Sequence, residues 1–318
     1  MTEHTEAETP GLGLAPSLMV EAEAAGIGIG DTPPTGPGGK RKMGLGAWLA
    51  VVWLVGLLLL AIFAPLLPIP DPTKSFPEIA RKGPTAGHLL GGDALGRDLL
   101  SRIIYGGRSS FAVGIGAVAF GLLIGGFIGL VTGFFRGRVD TILTPVMSLL
   151  LAIPQFVLAL SLVTVLASGD DVTSSRRLGV VILGLGIVSI PILGRITRAN
   201  TLSWSEREFV TAAKAMGAKS WRVMLREVLP NVVPAMLSIA MLGVGVAIIA
   251  EGGLSVFGVG VQLPTPSWGN IIAENRGNLR TSPHIILFTS IVLFLTVLSL
   301  NYLGDVVSQR FDVREGQL

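Results

Sequence analysis

Few residues in this chain are of types that do chemistry, and their spacing does not assemble them. There are no cysteines and only three histidines among 318 residues, so disulfides are excluded and a structural zinc site has almost nothing to be built from. His88 and His284 lie far apart near loop ends and read as ordinary interfacial histidines. The nearest approach to a phosphate-binding loop is Gly39-Lys40-Arg41, which lacks the glycine spacing and the hydroxyl residue that cradle a nucleotide. Gly26 to Gly30 alternates glycine and isoleucine without a strand–turn–helix context and reads as low complexity. No zincin, nucleophile-elbow or selectivity-filter motif occurs. Glu251, at the outer edge of an apolar run, is the candidate acid, and a water-facing interfacial position is expected for it. An intramembrane enzyme would need a second carboxylate, or a nucleophile with its base, at the same depth.

The elements that would hold such residues are built for lipid. Half of the residues are hydrophobic, 14% are charged, and the mean hydropathy is +0.68; a soluble domain carries about a quarter charged residues. Residues 1–43 are rich in Gly, Pro, Thr, Ala and Glu, without a period, and are expected to form a disordered cytoplasmic tail. Lys40-Arg41-Lys42 then precedes a charge-free run, 44–64, long enough to cross about 30 Å of hydrocarbon. It ends in Ala64-Pro65 without a small-x-small cleavage site, so an anchor is expected rather than a signal peptide. Five further spans are predicted at about 111–135, 141–167, 178–194, 232–250 and 284–304. Arg136, Arg138, the seven Lys and Arg residues between 195 and 226, Arg310 and Arg314 fall on one side if both termini are cytoplasmic. Arg81, Lys82, Arg97, Arg102 and Arg108 fall opposite, in a longer extracytoplasmic loop at 65–110 with an amphipathic segment. Residues 305–318 read as a cytoplasmic C-terminal tail. The expected fold class is an all-α integral membrane protein with six transmembrane helices.

Two features stand out against that background. Ala117, Gly121, Gly125, Gly129 and Gly133 place a small residue at every fourth position, a smooth stripe for close helix packing. Pro145, Pro154 and Pro191 are expected to kink their spans. The second feature is a polar stretch at 208–231. Phe209, Ala212, Ala213 and Met216 fall on one face of a first helix, which Gly217 ends; Trp221, Met224, Leu225 and Val228 repeat the spacing on a second, which Pro230 closes. Helices this short are unstable alone and must pack on something.

Glu208, Ala212, Ala213 and Gly217, with Leu229-Pro230 after a spacer, resemble the Glu-Ala-Ala signature of ABC importer permeases, with Phe209, Val210 and Thr211 standing before the alanine pair. Leu90 to Asp98 with Ser101, Arg102, Tyr105 and Gly106 resembles the first-loop motif of the dipeptide, oligopeptide and nickel branch. Glu251 to Gly269 resembles that branch's loop before the last span, and Asn301, Gly304, Asp305, Asp312 and Arg314 its ending, with Val313 where proline is usual. The resemblance covers about residues 44–314 and is to the C-type permease. It implies a type I importer permease fold, with residues 111–304 as the permease core and 195–231 as the loop that couples to the ATPase. It also implies a homologous B-type permease partner, ABC ATPase subunits that bind ATP and Mg, and an extracytoplasmic substrate-binding protein. No cofactor, catalytic residue or nucleic-acid partner is implied for this chain, whose setting would be a bacterial or archaeal cytoplasmic membrane. The substrate is left open among dipeptides, longer peptides, nickel chelates and glutathione. A stand-alone secondary transporter is the alternative; it would need ionisable residues within the spans or inverted repeats, and neither is evident. A membrane scaffold is a further rival, but it gives no reason for the 208–231 loop.

Overall fold

A computed structural model describes residues 44–168 and 174–315, with side chains described to residue 310. The expected tail at 1–43 lies outside the described residues. The helices are α1 (Leu45–Ile62), α2 (Leu99–Gly121), α3 (Phe127–Phe135), α4 (Gly137–Ala152), α5 (Gln155–Leu166), α6 (Ser174–Ser205), α7 (Glu208–Ala215), α8 (Ser220–Val223), α9 (Leu229–Val256), α10 (Trp268–Asn275) and α11 (Pro283–Glu315). A π-turn at Leu122–Gly126 joins α2 to α3, and another at Met224–Val228 joins α8 to α9.

Five continuous helical segments are long and apolar enough to cross a membrane: Leu45–Ile62, Leu99–Phe135, Ser174–Ser205, Ser220–Val256 and Pro283–Arg310. The third predicted span, 141–167, is not one straight helix: it is two helices, α4 and α5, bent by 91°. Pro154 explains the break, because its ring forces Ile153 out of the helical region, to ψ 132°. Pro145 and Pro191 lie inside helices that continue through them. The bent pair still carries the chain along α6: Met147 of α4 packs at Gly194, and Val163 of α5 packs at Gly184. Six crossings result if the pair counts as one.

Helix α6 is the spine of one half, packed along α2, α3 and α5, and α9 is the spine of the other, packed on α2 and α11. The first helix is apolar on all sides and buries chiefly small residues, Ala47, Ala50 and Ala61, against α11 and α2. Gly46 abuts Tyr302 and Ala61 abuts Gly107, so α1 begins beside the end of α11 and ends beside the start of α2. The second predicted span is longer than expected. Asp98 accepts a hydrogen bond from the Ser101 amide (2.8 Å), an N-cap that starts the helix at Leu99 instead of 111 and shortens the preceding loop accordingly. The expected C-terminal tail is largely the continuation of α11 to Glu315.

Candidate functional site

The 206–231 region is a folded platform. Helix α7 starts after Arg207, with Glu208 exposed in its first turn, where a carboxylate suits the helix dipole. It ends in a Schellman motif: the Ala218 amide bonds to the Ala213 carbonyl (3.1 Å), the Gly217 amide to the Lys214 carbonyl (3.0 Å), and Gly217 has φ +83°. Nothing lies within 4 Å of where a Gly217 Cβ would be, so the glycine answers a backbone requirement and not a crowded site.

The faces of these helices differ from the expected ones. Val210, Val223, Met224 and Val228 are buried with Leu130, Phe134, Val232 and Met236, and Ala213 packs against that cluster. Ala212 is exposed. Phe209, Trp221 and Leu225, members of the two predicted apolar faces, are exposed, and Met216 is 82% exposed. Lys214 Nζ lies 4.8 Å from the Phe134 ring and Arg207 lies over Trp204, so basic side chains edge the platform. Gly217, Ala218, Lys219, Trp221, Arg222 and Arg226 line an open depression beside the exposed Met216.

Pro230 does not close the second helix, as its position had suggested; α8 runs through the π-turn into α9, giving one segment of 37 residues, Ser220–Val256. Pro230 follows just after the π-turn inside this continuous run, and the Asn231 side chain donates to the Glu227 carbonyl at 2.6 Å. Leu229 packs against the buried cluster, whereas Pro230 is exposed.

The glycine stripe meets α6 backbone to backbone. A Cβ on Gly125 would collide with the Ile190 carbonyl, and one on Gly129 with the Gly194 carbonyl. On Gly121 it would lie 2.6 Å from Ser189 Cβ, and on Gly133 2.7 Å from Thr201 Cβ. Below the stripe, Arg198 grips Asp140 through Nε (2.5 Å) and Nη2 (2.7 Å), pinning the start of α4 to α6.

The opposite end is closed by a plate of loop segments and α10. Asp93, fully buried, accepts from the amides of Leu95 and Arg97 (2.9 Å each), from Arg97 Nε (2.7 Å) and from Arg102. Both arginines also reach Glu274 of α10, at 2.7 and 3.0 Å. Burial alone would raise the Asp93 pKa, but the charges and hydrogen bonds of Arg102 and Arg97 outweigh it and hold the carboxyl below the usual range. Two of the basic residues opposite the main cluster, Arg97 and Arg102, are therefore neutralised inside the plate. His88 Nδ1 lies 2.7 Å from Asp98, and His284 Nε2 lies 3.3 Å from the Gly92 carbonyl, so both histidines fasten this region.

Glu251 requires a second correction. It is fully buried, because α9 continues past 250 to Val256 and the 257–267 segment folds back over it. Its Oε1 accepts from Ser255 (2.7 Å) and Ser267 (2.9 Å). Ser255, one turn on and on the same face, was the available sequence signal. Among the described residues no three His, Cys, Asp or Glu side chains converge on a metal-sized site.

Residues 121–315 match the family described as "Binding-protein-dependent transport system inner membrane component". The chain belongs to that family. It is 34% identical over 267 residues to the dipeptide transport system permease protein DppC of Alkalihalophilus pseudofirmus, covering 83% of this chain and 85% of the relative. It is also 34% identical over 273 residues to the glutathione transport system permease protein GsiD of Pectobacterium atrosepticum, covering 86% and 87%. A solved chain of the MetNI methionine ABC transporter, in an inward-facing conformation, superposes with a TM-score of 0.56 at 16% identity, over 67% of this chain and 97% of that one. That likeness gives the fold, a helical one with several membrane-crossing segments, in keeping with the family. Members of the family are transport components.

Proposed function

We propose that this chain forms half of the translocation pathway of an ATP-driven importer of di- or oligopeptides. It pairs with a homologous B-type permease, two ATPase subunits that bind ATP and Mg dock below the pair, one of them on the 206–231 platform, and an extracytoplasmic binding protein delivers substrate to the opposite plate. The platform carries this reading. Four large apolar side chains, Phe209, Met216, Trp221 and Leu225, face outward on helices edged by Lys214, Lys219, Arg222 and Arg226. An aromatic and methionine patch within a basic rim has the composition of a protein interface. The peptide substrate is inferred from relatives named for dipeptide and glutathione, both peptides.

Orientation follows from the same platform. Arg195, Arg198, Arg207, Lys214, Lys219, Arg222 and Arg226 cluster at its end of the bundle, which the positive-inside rule makes cytoplasmic. The start of α1 and the end of α11 lie on that side too, so both termini are cytoplasmic in this reading.

The test is co-purification of the ATPases with this chain when the neighbouring transporter genes are expressed together. Wild type should retain them, and Trp221→Asp with Met216→Asp should lose them while the permease pair remains. In intact cells Lys219→Cys should resist an impermeant maleimide that labels Gln262→Cys. Ion-gradient-driven uptake by the single chain in liposomes, without ATP, would establish the secondary-transporter reading instead.

A further inference from the structure

Glu251 is a carboxylate fully enclosed within a spanning helix, and nothing in pathway formation accounts for it. Its Oε1 holds two serines at once: Ser255 on its own helix, and Ser267, sixteen residues on, across the folded-back segment. Its Oε2 faces the backbone of Gly269, where a Cβ would lie 2.7 Å away.

Ser267 is the first link of a longer chain of contacts. It caps α10 in a reciprocal box with Asn270, whose side-chain amide donates to the carbonyls of Val261 (3.1 Å) and Thr265 (2.8 Å). Next in sequence, Trp268 is fully buried; its amide bonds to Ser110 (3.1 Å) and its indole to the Ile103 carbonyl (2.9 Å). Further along α10, Glu274 receives Arg97 and Arg102. One hydrogen-bonded series thus runs from α9 through α10 into α2 and the 93–102 segment.

The other end of that helix is the platform. Ser220–Val256 is a single run of 37 residues, about 55 Å at 1.5 Å per residue, with Trp221 at one end and Glu251 near the other. Beside Glu251, α9 and α10 otherwise meet at Gly252 and Gly269. Two bare glycines can slide past one another; a carboxylate gripping a serine on each side cannot do so without breaking a buried hydrogen bond.

We propose that Glu251 is a positioning residue that ties the plate to this rod, so that displacement of the platform by the ATPases moves the surface offered to the binding protein. The inference rests on the platform docking the ATPases. Because the chain has no cysteine, Gln262→Cys in the exposed part of the folded-back segment is a background-free reporter. In the complete complex in nanodiscs, its maleimide labelling rate should change about fivefold or more, the lower end of allosteric coupling, when the ATPases are trapped with ATP and vanadate. Glu251→Ala should abolish the change while the ATPases stay bound and still trap nucleotide. Glu251→Gln, which keeps an oxygen for both serines, should retain it. If Glu251→Ala is not recovered, Ser267→Ala cuts the same link and should also abolish the change.

A full change in the alanine variants overturns the proposal, as does no change in the reporter alone. Equal loss in the glutamine variant also overturns it, because charge rather than hydrogen bonding would then be acting. Failure of the reporter complex to retain its ATPases is a different result, visible before labelling, and removes the docking reading itself.

Discussion

The two ends of the bundle use similar residues to opposite purposes. At the plate, arginines and carboxylates are paired inward: Arg97, Arg102, Asp93 and Glu274 close on one another, and Trp268 is fully buried. At the platform the large residues point outward. Trp221 and Met216 are exposed, and the Arg136–Glu206 pair, at 2.6 Å, is open to solvent. The plate completes its own contacts, whereas the platform holds one face in the bundle and leaves the other for a partner. Charge in a membrane protein is therefore best read by where its counter-charge lies, and less by its count.

The sharpest way to break the contrast is Arg102→Ala. It leaves Asp93 without its principal buried partner, and breaking a buried pair from one side costs about 3–5 kcal/mol. The expected outcome is loss of folded material or a large drop in the melting temperature of the purified complex. A platform arginine such as Arg222, changed to Ala, should leave melting nearly unaltered.

Gly125→Leu strikes between the two ends, where α6 leaves no room for a side chain. Overpacking costs about 1–3 kcal/mol, so reduced assembly by size-exclusion chromatography is expected, with substrate preference unchanged. Normal assembly with altered preference would place Gly125 on the pathway.

A smaller effect on stability is expected from Gly217→Val. Its cost is backbone strain at φ +83° with no steric neighbour, about 1 kcal/mol. The melting temperature should barely move, yet ATPase co-purification or binding-protein-stimulated hydrolysis should fall, because the angle between α7 and α8 depends on that residue. Glu208→Ala should act in the same direction more weakly, within the range of about 0.3–1 kcal/mol for a charge at a helix N-terminus.

The existence of the spans, the helix stop at Gly217 and the glycine stripe were legible because each rests on local chemistry: apolar length, a positive φ, and four-residue spacing. What was not legible depends on neighbours far along the chain. Phe209 and Val210 are both apolar, and only the presence of Leu130 and Phe134 beneath the loop decides that Val210 turns inward. Glu251 looked interfacial because the segment that buries it returns from residues 257–267. Pro154 and Pro230 are alike as residues, yet one breaks its span and the other lies within a continuous one, just after a π-turn.

Helix α1 has a consequence for how the protein is made. Its hydrogen bond from Trp53 to Thr296, at 3.2 Å, joins residues 243 positions apart, and its alanine seam lies mostly on α11, a helix synthesised much later. At about 5–20 residues per second, roughly 12–50 s separate the emergence of the two partners from the ribosome. Through that interval α1 must remain in the bilayer without its principal neighbour. A helix that waits in this way has to satisfy lipid on every side, and a mean hydropathy of 2.6 with no charged residue lets it do so.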